Sequence, residues 1–387
     1  MDNKNKLSRR KFLKLGLAGI GGISLLTGSS RKSFSSSPDA EHPPGARLGL
    51  VKPEPSIWFE KLENNKLKCT LCPKFCELKV GHRGPCRVRE NRDGKGYTLA
   101  YGNPALIQED PIERKPYFHV LPGSRSLSIA TAGCNLSCKF CEVWDMALTA
   151  PEELYAYEVS PEETIEYASE SKVGSLSYSF GEPVVFYEYM KDIAVRAKET
   201  GLLNLMHTAG YINREPLEEI SGYLDGVNVD LKSIENSFYK EIVGGELQTV
   251  LDTLRYLRKK NMHIEITNMV IPTLNDDRKQ IKKMCDWIVR NLGPSIPVHF
   301  ARFYPLYKLS GLPRTPVATL DMARETAMTA GLEYVYVSRV TGHEGENTFC
   351  PKCNNKIISR VGFVIDEINI DRGRCEYCKN LIPGRWG

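Results

Sequence analysis

Long apolar runs are missing from this 387-residue chain. The one candidate, Leu15 to Leu26, is twelve residues, and at about 1.5 Å of rise per residue it cannot cross a hydrocarbon core of about 30 Å. Charge of one sign is also scarce. Lys and Arg number 52 against 47 Asp and Glu, a net charge of +5, and much of the excess lies at Lys4 to Lys14 and around Arg31 and Lys32. That balance gives no reason to expect a nucleic-acid partner. "LTGSS" at 26–30 stands where a lipoprotein box would but lacks the cysteine, so no lipid anchor is expected. What remains is ordinary for a globular protein, with 41% hydrophobic and 26% charged residues. The length admits two or three domains, one with a core of barrel size.

Cysteine is abundant, but not at disulfide spacing. Eleven of the 12 cysteines fall in three tight clusters: Cys69, Cys72, Cys76 and Cys86; Cys134, Cys138 and Cys141; Cys350, Cys353, Cys375 and Cys378. Thiols two or three residues apart chelate more readily than they pair with each other. Cys285, in "KKMCDWIV", reads as a buried apolar residue on a helix. The central set holds three thiols, one short of a closed zinc site. Three thiolates suit three corners of a 4Fe–4S cube and leave the fourth iron open. The first set has enough ligands for a closed site, and structural zinc and an auxiliary iron–sulfur cluster both fit its thiolates. The last set, C-x2-C-x21-C-x2-C, is close to zinc-ribbon arithmetic, one residue longer than the usual gap.

Residues 1–30 open with a basic stretch and a short apolar run, the pattern of an export signal. Ser8-Arg9-Arg10-Lys11-Phe12-Leu13-Lys14 resembles the twin-arginine signal, which implies the export machinery as a partner and a location in the periplasm or on the outer face of the membrane. A basic tail without that role would leave the protein cytoplasmic. Residues 31–55, rich in Ser and Pro, are expected to form a linker with no packed core.

From about residue 126, strand-like runs alternate with helical ones. The strands are expected at 126–132, 175–180, 202–210, 226–232, 263–271 and 298–305, with a seventh short one at 334–340. Helices are expected between them at Pro161–Ser171, Val184–Thr200, Arg214–Tyr223, Leu247–Lys260 and Lys279–Asn291. Nearly continuous apolar strands joined by helices predict an α/β fold, a partial, six-stranded parallel β/α barrel spanning 119–343. A four-cysteine region at 56–118 and a zinc-ribbon-like region at 344–387 flank it. Active sites of parallel α/β folds lie at the C-terminal ends of the strands, and the Cys134 cluster directly follows the first strand.

"CNLSCKFC", with Phe140 before the last cysteine, resembles the cluster motif of the radical SAM superfamily. That resemblance implies a radical SAM-type barrel, a 4Fe–4S cluster on Cys134, Cys138 and Cys141, and S-adenosylmethionine on the open iron. It also implies reductive cleavage to a 5′-deoxyadenosyl radical that abstracts hydrogen, and a low-potential electron donor. Phe140 then packs near the adenine. Gly181, Glu182 and Pro183 resemble the segment that receives the methionine ammonium group, with Phe180 in place of the usual first glycine. Asp230 and Lys232 resemble a DLK motif of glycyl-radical-enzyme activases, and strand alternation puts both side chains on one face. Ile271 and Pro272 resemble the adenosine-contacting segment after the fifth strand.

"CTLCPKFCELKVGHRGPCRVREN", "VHFARFYPLYKL" and "CEYCKNLIPGRWG" together resemble the AmmeMemoRadiSam system enzymes, relatives of pyruvate formate-lyase activating enzyme. This implies either a protein substrate or Memo- and AMMECR-type partners. His299 and Arg302 are expected, by their place on the last barrel strand, to face a substrate cavity. Two other readings stand beside a hydrogen-abstracting enzyme of unknown substrate: an activase acting on a partner protein, and a multi-cluster electron-transfer protein.

Overall fold

The computed structural model describes residues 44–387; the expected leader at 1–30 and the first part of the expected linker lie outside the described residues. One eight-stranded sheet forms the centre. Its strands are β1 (Leu106–Pro111), β2 (Arg125–Ala130), β3 (Ser175–Tyr178), β4 (Leu203–Thr208), β5 (Gly226–Asp230), β6 (His263–Val270), β7 (Val298–Arg302) and β8 (Val335–Ser338). They run in spatial order from β8 back to β1 with no strand out of sequence. Strands β2 to β8 are all parallel. The seventh expected strand is present as β8 and pairs with β7.

Strand β1 is the unexpected member. It pairs antiparallel with β2 and lies inside the region assigned to the N-terminal cysteines, so the boundary at 118 cuts through the sheet. Its sequence, Leu-Ile-Gln-Glu-Asp-Pro, carries the charges and the proline tolerated on an edge strand, and so lacks the apolar signature of its neighbours. Six helices join the parallel strands: α1 (Pro161–Glu170), α2 (Tyr187–Thr200), α3 (Arg214–Ser221), α4 (Leu247–Lys259), α5 (Arg278–Leu292) and α6 (Val317–Thr329). Ser160 and Glu163 close a capping box on α1, and Asp277 caps α5 by accepting from the amides of Lys279 and Gln280. Leu176, Met206, Val227, Ile266 and Phe300 are fully buried, as is Cys285 on α5. Helices therefore cover the outer face, as continuous apolar strands require.

Residues 47–55 are not a free linker. Arg47–Leu48 pairs with Tyr155–Ala156, and Glu54–Pro55 pairs with Tyr97–Thr98. The two cysteine-rich flanks sit at opposite ends of the strands. The N-terminal one packs against the loops after the strands, where Asn213 reaches the Thr70 and Leu71 carbonyls. The C-terminal one meets the strand beginnings, where Arg360 donates to the Phe118 carbonyl and to Thr348.

A buried carboxylate closes that lower end. Glu265 accepts from the amides of Phe118 and His119 at 3.1 and 2.9 Å, from His263 at 3.2 Å and from His299 at 2.7 Å. His299 is wholly buried, and its ring stacks on Tyr336. It serves this closure, not the substrate cavity expected for it, because it is the second residue of β7 and the cavity end is the other one. Burial opposes the charge of Glu265, but His263 and His299 hold its carboxyl well below the usual range. A carboxyl depressed on folding stabilises the fold above its unfolded value of about 4.3 and stops doing so as pH falls. Glu265→Gln should cost about 3 kcal/mol, since several buried donors lose their anion. The melting temperature of the variant should lie several degrees below wild type at pH 7, and the gap should narrow only as pH falls below about 4. Equal melting temperatures at pH 7 would refute the closure role.

Candidate active site at the C-terminal end of the barrel

The chain leaves β2 through Gly133, whose φ of +95° suits only glycine, and enters the thiol loop. Two backbone bonds seat that loop on a π-helical turn, Tyr239–Val243. Ser137 N–H donates to the Val243 carbonyl and Lys139 N–H to the Ile242 carbonyl, both at 2.9 Å. Gly244 and Gly245 make the approach possible. A Cβ on Gly244 would stand 2.2 Å from Ser137 Oγ, and one on Gly245 would stand 2.7 Å from Leu136 Cδ2. Within the loop, Leu136 N–H lies 3.4 Å from Cys134 Sγ and Cys141 N–H donates to the Cys138 carbonyl. Phe140 is buried beside Phe238.

Four acidic and basic groups surround the loop. Glu182 is buried, and its carboxylate accepts from Thr208 Oγ1 at 2.6 Å, Ala209 N–H at 2.9 Å and Val184 N–H at 3.2 Å. Burial raises its pKa against those bonds. Oε2 takes only one of the three bonds and retains accepting capacity for a cation. Asp230 and Lys232 do share a face, as alternation predicts: Lys232 Nζ lies 2.9 Å from Asp230 Oδ2. His207 Nε2 takes Oδ1 at 2.8 Å. Burial disfavours the Asp230 charge, yet Lys232 and His207 hold its carboxyl well below the usual range. Lys232 Nζ also lies 5.5 Å from the centre of the Phe140 ring.

Phe180, at the place of the usual glycine, keeps the glycine conformation at φ 71°. Its ring lies 4.1 Å from Lys115 Nζ, so a cation–π contact accompanies the strain. A Cβ on Gly181 would meet the Thr131 carbonyl oxygen at 3.4 Å and Ala130 Cβ at 3.5 Å, and Pro183 opens a short 3-10 turn. Ile271 and Pro272 are buried. The Ile271 amide donates to Asn275 Oδ1 at 2.6 Å, and Asn275 Nδ2 donates to the Lys232 carbonyl. Arg302 ends β7 and spends Nε on the Thr315 carbonyl. The Gly244-Gly245 pair was not expected in the site. A glycine pair carries no local sign of the loop it must admit.

The donor set fits a cluster. Burial pushes the Cys134 and Cys138 thiols up and the Cys141 thiol to about 12, so in a dry site they deprotonate only for a metal. Their sulfurs also differ in spread from the C-terminal four. Among the described residues, Cys350, Cys353, Cys375 and Cys378 are the group with sulfurs all within 4.8 Å of one another. Cys350 and Cys378 are 3.5 Å apart and Cys353 and Cys375 are 3.7 Å apart. Tetrahedral sulfurs about 2.3 Å from one ion would lie about 3.8 Å apart. Asn354 and Lys379 turn both knuckles in left-handed conformations, so this set can hold a single metal ion.

Comparison with known proteins agrees with this geometry. The family model described as the radical SAM superfamily matches residues 128–287, from β2 into α5. The chain is 40% identical over 329 residues to an uncharacterized protein of Methanocaldococcus jannaschii, covering 84% of this chain and 98% of that one. It is 29% identical over 176 residues to the pyruvate formate-lyase-activating enzyme of Clostridium pasteurianum, covering 44% of this chain and 71% of that one. The chain belongs to the radical SAM superfamily. Among solved structures, Streptococcus suis SuiB bound to S-adenosylmethionine matches at TM-score 0.45 and 14% identity, over 56% of this chain and 51% of that one. The matched family implies a 4Fe–4S cluster and S-adenosylmethionine as the cofactors of this radical SAM enzyme.

Gly244→Ala tests how the loop is held. With φ at +79° and Ser137 Oγ in the way, the variant should lose most of the iron bound by the central thiols. Gly222→Ala, at a helical φ of −65°, should keep it. Iron assay after anaerobic purification decides, and full iron retention by Gly244→Ala would refute the seating role of the turn.

Proposed function

We propose that this protein cleaves S-adenosylmethionine reductively and abstracts hydrogen from a substrate not yet identified. The observation that carries the reading is the convergence of Glu182, Asp230, Lys232 and Phe140 on the thiol loop at the C-terminal ends of the strands. When bound, the cluster and its cofactor supply one-electron cleavage of the C5′–S bond. The residues supply position and charge. Glu182 Oε2 offers a fixed anion to the methionine ammonium group. Phe140 and Ile271 offer apolar surface to the adenine. Asp230, held ionised between Lys232 and His207, presents an ordered polar wall beside Cys138. Cys134, Cys138 and Cys141 are the ligands.

Similarity to pyruvate formate-lyase-activating enzymes supports a protein as the hydrogen donor, making a glycyl-radical activase the second reading. The flanking cysteine patterns favour the AmmeMemoRadiSam branch, with zinc in the C-terminal thiolates. The twin-arginine-like leader favours export of the folded, metal-loaded chain.

Anaerobic incubation with S-adenosylmethionine and a strong reductant should yield 5′-deoxyadenosine from wild type and none from Cys138→Ala. Glu182→Gln should raise the KM for S-adenosylmethionine by about 10-fold or more, the loss of one charge-assisted hydrogen bond. No product from wild type with a reducible cluster would sink this reading in favour of electron transfer.

A further inference from the structure

Four thiols besides the central three lie at the catalytic end of the barrel. Cys69 ends the second strand of a small three-stranded sheet, Phe59–Lys61, Leu67–Cys69 and Glu77–Leu78, Cys72 and Cys76 lie in the connection to its third strand, and Cys86 follows it. They line a narrow cleft together with Leu71, Lys74, Arg89 and Asn135. Unlike the C-terminal four, no three of them bring their sulfurs within 4.8 Å of one another among the described residues. The C-terminal set is drawn tight enough for one ion; this set is spread around a space. Gly84 lies between two of them, since a Cβ there would make ordinary contacts with Cys86 Sγ at 3.6 Å and Cys76 Sγ at 3.8 Å.

Two buried polar atoms on the wall of the same cleft have no partner. Arg89 is 2% exposed and gives Nη1 to Glu188 and Nη2 to Ser56, which leaves Nε–H unsatisfied. Asn135 is 3% exposed and gives Nδ2 to the Tyr211 carbonyl, which leaves Oδ1 unsatisfied. Leaving a buried donor such as the Arg89 Nε–H unmet is costly, and bridging sulfide or thiolate sulfur accepts hydrogen bonds of this kind.

We propose that Cys69, Cys72, Cys76 and Cys86 bind a second iron–sulfur cluster of the 4Fe–4S type, not zinc, with Arg89 donating to its sulfur. Its place also assigns its role. Asn135 follows Cys134 directly and lines the second cleft. A Cβ on Gly133 would stand 2.6 Å from the Cys86 carbonyl oxygen, so the backbone just before Cys134 packs directly on the backbone of Cys86. A low-potential one-electron donor protein is oxidised by one electron, the second cluster takes that electron and passes it to the first, and no bond is made or broken in the relay. This role rests on the proposed function above; the metal assignment does not.

Metal and sulfide counts on anaerobically purified, reconstituted protein test the assignment, with Mössbauer spectra of iron-57 samples. Wild type should carry about eight irons, eight sulfides and one zinc, two cubes and one ribbon ion. The triple variant C134A/C138A/C141A should keep about four irons, with spectra unchanged by S-adenosylmethionine, and Cys72→Ala combined with Cys76→Ala should remove that set from wild type. Should the triple variant fail to fold, the wild-type count still decides. About four irons with two zincs, or four irons with this site empty, would overturn the proposal whether or not 5′-deoxyadenosine is formed.

Discussion

Everything at the catalytic end depends on how closely the thiol loop meets the π-helical turn. The loop has no regular secondary structure to hold three sulfurs in a fixed triangle, and a cluster cannot fold around thiols that wander. Two amide-to-carbonyl bonds from Ser137 and Lys139 supply the fixity, and Gly244 and Gly245 supply the room. The turn is itself tied to the strand ends, because Tyr239 Oη accepts from the Lys232 amide. One short contact thus couples the position of the sulfurs to the position of the Asp230–Lys232 pair. π-Turns cost hydrogen-bond geometry and tend to occur where function requires them.

The charges around the loop follow from the same closeness. Lys232 interacts with Asp230, the Phe140 ring and the Cys138 thiol together. In a dry site an unpaired ammonium or carboxylate would neutralise itself. Pairing with Lys232 keeps Asp230 charged, and His207 takes its other oxygen. Glu182 reaches the same end differently, through neutral donors from Thr208, Ala209 and Val184. These bonds only partly offset its burial, which still raises its pKa, so a cation at Oε2 would favour its charged form.

Much of this was legible from the chain. The parallel strands and most of their helices followed from apolar runs at strand length and helical spacing, and the Asp230–Lys232 pairing followed from alternation alone. What escaped did so for physical reasons. Strand β1 is polar because it is an edge, so it did not look like its neighbours. His299 sits on the right strand but one end away from the chemistry, and position along a five-residue strand decides between a substrate contact and a ligand of Glu265. His207 lay within a stretch already singled out, yet nothing local shows that it reaches across to the next strand. Gly244 and Gly245 act by what they do not carry, and the partner they make room for is about a hundred residues away.

The two flanking thiol sets show how spacing and geometry divide the labour of inference. By spacing alone both are four-thiolate sites, and either metal satisfies either one. Geometry separates them twice over. The C-terminal four crowd together beneath the strand beginnings, next to the Glu265 closure that already serves stability. The N-terminal four stand apart around a cleft and share a wall with the catalytic loop. A metal needed only to hold a small sheet gains nothing from lying beside the reacting centre, whereas a redox group gains everything from it. The end of the barrel on which a cysteine set lies is thus an argument about what it binds.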